Sequence, residues 1–298
     1  MCFRIIDQTA CAIHTKWRHL LWPGDVTRIN KNLKAWAAAI NAAGIGIPPN
    51  ATNVFGFVDG TQREVCLPDG PTIVGEAFIN GHKHFPSAAY IGLLSPDGLF
   101  AQFAGPYMGW EHDHSVFKKS RLYDMLDQGL FVDEDGKRYR PFADLGYFVG
   151  PNILTGFKEA NEFAHEVFNT TWSRQRVFVE CGFGDVTNTF KIHQFLPLQK
   201  PNKSRLAVWY LVSVLLTNCQ VCLYGSKAAD HFNCPPPSLT EYLKVWDDDP
   251  QFAAVYDRFR PDEFWCMRTP EEKMHKYNTG KAEWEKMQEE EKKRTWEI

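Results

Sequence analysis

A mixed α/β sheet flanked by helices, with helical extensions at both ends, is the fold class this chain predicts. Three observations lead there. Short apolar runs of strand length follow one another after residue 48 and are interleaved with longer helical stretches. Two of the runs flank Ser95-Pro96-Asp97-Gly98, a turn sequence between aromatic-rich segments. Two others end on an aspartate, Asp59 and Asp144, and the C-terminal ends of strands are where α/β folds build their sites.

The elements follow in order. Residues 1 to 47 read as helical, with Leu33, Trp36, Ala37 and Ile40 at i, i+3, i+4 and i+7, and the pattern stops at Gly44-Ile45-Gly46-Ile47-Pro48-Pro49. Val54 to Val58 is a strand delivering Asp59 before Gly60. Ala88 to Leu94 and Leu99 to Ala104 form a hairpin, which makes three consecutive antiparallel strands with the first. His114 to Leu122 is helical, and Asp113 stands at or just before its first turn, where an acid also suits the N-cap and the helix dipole. Tyr139 to Ala143 is a fourth strand delivering Asp144. Phe168 to Phe183 is a helix with Arg176 one turn before Glu180, a spacing that also suits a simple ion pair. Strand with acid, hairpin, helix, strand with acid and helix with acid is the order of a ribonuclease H-like core, where distant carboxylates meet at one end of a central sheet.

The apolar run from Leu206 to Tyr224 approaches the length of a membrane span. Ser213, Thr217, Asn218 and Gln220 interrupt it, and a single such segment in a charge-rich chain reads as a buried core helix. Beyond Pro235-Pro236-Pro237 the sequence becomes helical and charged, and Lys281 to Ile298 carries mixed charge that favours an exposed helix.

Composition narrows the function classes. With 298 residues, 44% of them hydrophobic and 14% aromatic, the chain has ample material for a core. A formal net charge of −3 argues against a stand-alone, tight nucleic-acid binder, so any DNA contact must come from local basic patches. The opening residues show no secretory leader, which predicts a cytosolic or nuclear protein, and the 8 cysteines are too sparse for a disulfide framework.

The functional signal is the ordered set Asp59, Asp113, Asp144 and Glu180. The chain holds 36 Asp and Glu, so four acids alone mean little, and their neighbours carry the argument. Hard oxygen ligands converging from separate parts of a chain suit a divalent metal working on phosphate. The neighbours are Val58-Asp59-Gly60-Thr61, Gly81-His82-Lys83-His84, Leu94-Ser95-Pro96-Asp97-Gly98, Gly105-Pro106, His112-Asp113-His114-Ser115-Val116-Phe117, Asp144-Leu145-Gly146-Tyr147 and Val179-Glu180-Cys181-Gly182-Phe183-Gly184. In this order and spacing, from about Trp17 to about Leu243, the sequence resembles the DDE nuclease domain of PIF/Harbinger-type transposases and their domesticated relatives, in particular a fungal-like branch.

The resemblance implies a ribonuclease H-like nuclease domain over 49–234, between an N-terminal helical segment (1–48) and a charged C-terminal helical extension (235–298). It implies Mg²⁺ or Mn²⁺ dependence and cleavage of DNA by two-metal phosphodiester hydrolysis, with Asp59, Asp113, Asp144 and Glu180 as the metal set. Asp59, Asp144 and Glu180 are preferred as the working triad, because Asp113 has the alternative of capping its helix. A domesticated, catalytically silent scaffold binding DNA or protein is the alternative. Lys83, His84, Arg174 and Arg176 are candidates for phosphate contact, although surface charge is the commoner role for such residues. The family pairing implies a separate Myb-like DNA-binding partner; a homo-oligomer and a nuclear location are further expectations, with Lys292-Lys293-Arg294 only a weak import signal. One departure stands out: Ala143 precedes Asp144 where the family generally has glycine.

Three other constellations carry plainer meanings. Cys219, Cys222, His231 and Cys234 have the spacing of a zinc site, but cysteines on an apolar helix are commonly buried and reduced. His112 and His114 flank Asp113 on opposite sides and read as local hydrogen-bonding groups rather than ligands. Cys181 adjoins Glu180 without an identifiable histidine partner for nucleophilic catalysis.

Overall fold

The computed structural model describes residues 2–44, 51–67, 78–80, 85–147, 150–201 and 204–244, together with 255 and 258. Two helices open it, α1 (Cys2–Trp17) and α2 (Val26–Ala43). Asp25 caps α2 by accepting the Arg28 N–H at 2.8 Å, and the stripe Ile29, Leu33, Trp36, Ala37 and Ile40 is buried, one residue longer than the i, i+3, i+4, i+7 pattern required.

The sheet contains β1 (Val54–Glu64), β2 (Ser87–Leu94), β3 (Phe100–Met108), β4 (Arg140–Ala143) and β5 (Leu154–Thr155), in the spatial order β3-β2-β1-β4-β5. The pairs β1/β2 and β2/β3 are antiparallel, whereas β1/β4 and β4/β5 are parallel. This is the mixed sheet expected of a ribonuclease H-like fold. The hairpin forms where its turn chemistry places it. The Ser95 hydroxyl donates to Asp97 Oδ1 at 2.5 Å, and Gly98 takes a φ of +81° that a side chain would disfavour.

Both faces of the sheet are covered, so its central strands read as nearly continuous apolar runs. Side chains of β2 alternate between the two sides: Tyr90 and Leu94 join one cluster, while Ala89, Ile91 and Leu93 join the other. The first cluster is closed by α5 (Phe163–Thr189) and α6 (Leu206–Tyr224), through Trp172, Val179, Phe183, Tyr210 and Val214. The second is closed by α2 with α3 (Asp113–Lys119) and α4 (Leu122–Asp127), through Trp36, Val116, Phe117 and Met125. The N-terminal helices therefore share the core of the sheet. Helices α7 (Lys227–Phe232) and α8 (Leu239–Tyr242) follow, and the expected charged helix over 281–298 lies outside the described residues.

Helix α6 has the length and composition of a membrane span, but 72% of that apolar stretch is buried inside the fold. Three of its polar interruptions have partners. Asn218 accepts the Phe100 N–H at 2.9 Å and donates to the Phe100 carbonyl at 3.0 Å, which ties the helix to the start of β3. Ser213 hydrogen-bonds His193 Nε2 at 2.8 Å, and Thr217 donates to the Ser213 carbonyl. Burial lowers the His193 pKa to about 4, with Arg63 adding to the effect.

Three boundaries differ from the sequence reading. β1 does not end at Asp59 but runs on to Glu64, because β2 continues the antiparallel ladder from Phe57 to Glu64 after β4 has stopped. The helix expected over His114 to Leu122 is two helices, broken at Arg121, whose φ is +63°. Ser120 stabilises the break by donating to the Phe117 carbonyl and accepting the Leu122 N–H. Helix α5 begins five residues before Phe168 and extends six beyond Phe183.

Candidate active site

Register brings the first two acids together. Val58 of β1 pairs with Ala143 of β4, so the next residues, Asp59 and Asp144, leave neighbouring parallel strands at the same level. Asp59 is then flanked on its other side by Gly92 of β2. Its backbone is held within a continuing strand, whereas Asp144 starts a loop and is exposed.

Helix α5 crosses this end of the sheet and adds two charges. Arg176 donates from Nη1 to Asp59 Oδ2 at 2.8 Å and from Nη2 to Glu180 Oε1 at 2.6 Å. The sequence suggested the Arg176/Glu180 half of this bridge; the Asp59 half spans 117 residues. The side chains of Asp59 and Arg176 retain only 14% and 17% of their exposure, against 49% for Glu180. Arg176, named among the phosphate-contact candidates, is engaged by two carboxylates. Arg174 is exposed on the same helix, and Lys83 and His84 lie outside the described residues.

Asp113 arrives from the other side. It is the first residue of α3 and the acid of its first turn, and His112 at the cap position supplies no side-chain cap bond. An acid in the first turn suits the helix dipole, as weighed for Asp113. An atom added at Gly60 as a β-carbon would stand 2.6 Å from Asp113 Oδ1 and 3.4 Å from Tyr147 Oη. Glycine beside Asp59 thus opens the space into which Asp113 and Tyr147 project.

Electrostatics ties the set together. Burial pushes the Asp59 carboxyl up to about 6, and Glu180 and Asp113 add to this against the opposing pull of Arg176 and the Gly60 N–H. Burial disfavours the charge on Arg176, but the Asp59, Glu180 and Asp144 carboxylates outweigh it and raise its pKa. Tyr147 is buried three residues after Asp144, and its pKa is raised well above the ordinary value by burial and then by Asp113, Asp59 and Asp144. Its hydroxyl has no hydrogen-bond partner among the described residues, while its ring meets Phe117 edge-on at 5.7 Å. Tyr147 and Gly60 stood inside the motifs read from the sequence, yet nothing in the sequence marked them as neighbours of one another.

A profile for the DDE superfamily endonucleases matches residues 58–218, more than half of the chain. The chain belongs to the DDE superfamily endonuclease family. The match begins one residue before Asp59, closes on Asn218 and encloses Asp59, Asp113, Asp144 and Glu180. No curated protein and no solved structure matches the chain.

Endonucleases of this family generally use divalent metals. The donor chemistry of the site fits such an ion: hard carboxylate oxygens stand near one another, and burial, with Glu180 and Asp113 adding to it, raises the Asp59 pKa even with a guanidinium bonded to it. As placed, however, no group of three or more His, Cys, Asp or Glu among the described residues is arranged to hold a metal ion. The cysteines considered for zinc form no such group either. Burial pushes the Cys222 thiol up to about 12 and that of Cys234 to about 11, which favours the protonated form, and His231 packs its ring against Phe178 and Phe232.

Proposed function

We propose that this chain is a DNA endonuclease of the PIF/Harbinger branch, cutting phosphodiester bonds with Mg²⁺ or Mn²⁺ held by Asp59, Asp144 and Glu180 and assisted by Asp113. The observation that carries the reading is the convergence of these four side chains, from two parallel strands and two helices, on one end of the sheet. When bound, divalent ions would supply an activated water or 3′-hydroxyl and stabilise the leaving oxygen. The protein's own part is positional. Asp59 is fixed by strand pairing and by Gly60 and Arg176, while Asp144 and Glu180 retain exposed surface toward a substrate. Tyr147 keeps its proton beside the carboxylates and so offers a neutral donor where bare anions would repel phosphate. The slightly acidic chain fits a division of labour in which a separate Myb-like protein finds the DNA, and a DNA substrate places the protein in the nucleus.

The test pairs Mn²⁺ calorimetry with nicking of supercoiled DNA, comparing the wild type with an Asp59→Ala/Asp144→Ala double variant. Saturable binding and metal-dependent nicking that both disappear in the double variant are the expected result. Absence of both in the wild type at millimolar Mn²⁺ would leave the catalytically silent scaffold. That second reading draws on the Arg176 bridge, which already neutralises part of the cluster without a metal.

A further inference from the structure

The four acids converge, yet Arg176 occupies the position between two of them. Both oxygens of Asp59 already accept a bond: Oδ1 from the Gly60 N–H at 3.0 Å, and Oδ2 from Arg176 at 2.8 Å. Glu180 Oε1 accepts the other arm of the same guanidinium. A planar guanidinium suits this task, because its fork addresses two carboxylates at fixed separation and it stays charged at any ordinary pH. It also supplies the positive charge that the cluster needs when no metal is bound.

We infer that Arg176 is an exchangeable internal counter-cation: it holds Asp59 and Glu180 in the metal-free protein and must release both for a divalent cation to take those oxygens. The inference rests on the metal-binding reading of the site. Arg176 is thus a positioning residue, acting through Asp59 and Glu180. Its loss should have two effects of opposite sign. The metal-free fold loses a tie between α5 and β1, and the cation loses its competitor. A helix-to-sheet tie with no such role would show the first effect without the second.

The experiment is Mn²⁺ calorimetry without DNA on the wild type, Arg176→Gln and Arg176→Lys, with thermal melting in chelator alongside. Removing a competitor held by two charge-assisted bonds should tighten Mn²⁺ binding on the order of tenfold in Arg176→Gln. Arg176→Lys should fall between it and the wild type, since one ammonium cannot reproduce the fork. Both variants should melt lower than the wild type in chelator. Tight binding by Arg176→Gln from a wild type that binds weakly or not at all supports the inference. Unchanged or weaker binding in both variants of a wild type that does bind Mn²⁺ overturns it and leaves the metal reading standing. Failure of all three proteins to bind overturns both. If Arg176→Gln does not fold, Arg176→Lys decides alone by the same comparison.

Discussion

Neutralising Asp59 without altering its shape, as Asp59→Asn does, is expected to stabilise the metal-free protein at neutral pH. Burial, reinforced by Glu180 and Asp113, moves the carboxyl from 3.8 to about 6, and this value already includes the favourable pull of Arg176 and of the Gly60 N–H. The unfolded chain exposes the carboxyl to water at its ordinary pKa, so the folded protein binds the proton more tightly. Stability from this group is therefore fully present below about pH 3.8 and is lost as the pH rises through about 6. A shift of about two units corresponds to about 3 kcal/mol at roughly 1.4 kcal/mol per unit. Asparagine imitates the neutral form at every pH and keeps an oxygen for Arg176. Urea unfolding in chelator, run from pH 4.5 to 8, should show the variant ahead by about 2–3 kcal/mol at pH 8, with the gap closing toward the acid end. Adding Mn²⁺ should reverse the order at pH 8, because only the wild type gains stability from a ligand that needs the carboxylate. A variant no more stable than the wild type at pH 8 in chelator would refute the reasoning, as would a gap that does not narrow with acid.

Three further outcomes follow from the same geometry. Asp97→Ala leaves the Arg28 guanidinium buried after removing a partner at 2.6 Å, and should cost about 3–5 kcal/mol in urea unfolding. Asn218→Ala strips both backbone groups of Phe100 and the Tyr242 hydroxyl of a buried partner, and should lower stability by about 2–4 kcal/mol in the same assay. Tyr147→Phe removes a buried hydroxyl that has no partner among the described residues, so the metal-free protein should gain about 1 kcal/mol by denaturant midpoint, while DNA nicking falls if that hydroxyl addresses substrate.

The parts of the fold legible in the sequence are those fixed by local chemistry. The Ser95 to Gly98 turn announces itself because Asp97 and Gly98 supply the side-chain bond and the positive φ that the chain reversal needs. Helix α2 is legible for a similar reason: its stripe is decided by its own periodicity. The length of β1 was not, because it depends on a partner strand that begins 23 residues after β1 ends, at Ser87. The break at Arg121 was also hidden, since arginine has no special tolerance for a left-handed backbone and the signal lies in Ser120 bonding on both sides. β5 has two residues, too few to show any period.

For the candidate site, motif text identified the acids, but what distinguishes them is their setting in three dimensions. Asp59 is the most enclosed, fixed within a paired strand and bonded through both oxygens; Glu180 is half exposed on a helix, and Asp113 and Asp144 are exposed at the start of a helix and of a loop. A rigid first ligand with more adaptable companions suits a cluster that must hold together while charge enters and leaves it. The same enclosure accounts for the raised pKa of Asp59, because a carboxylate taken from water and set near others depends on a nearby cation and on N–H donors for its charge. Arg176 is that cation in the metal-free protein. Sequence spacing revealed its helical neighbour Glu180, while its bond to Asp59 follows only from the placement of α5 against the middle of β1, where β4 stops.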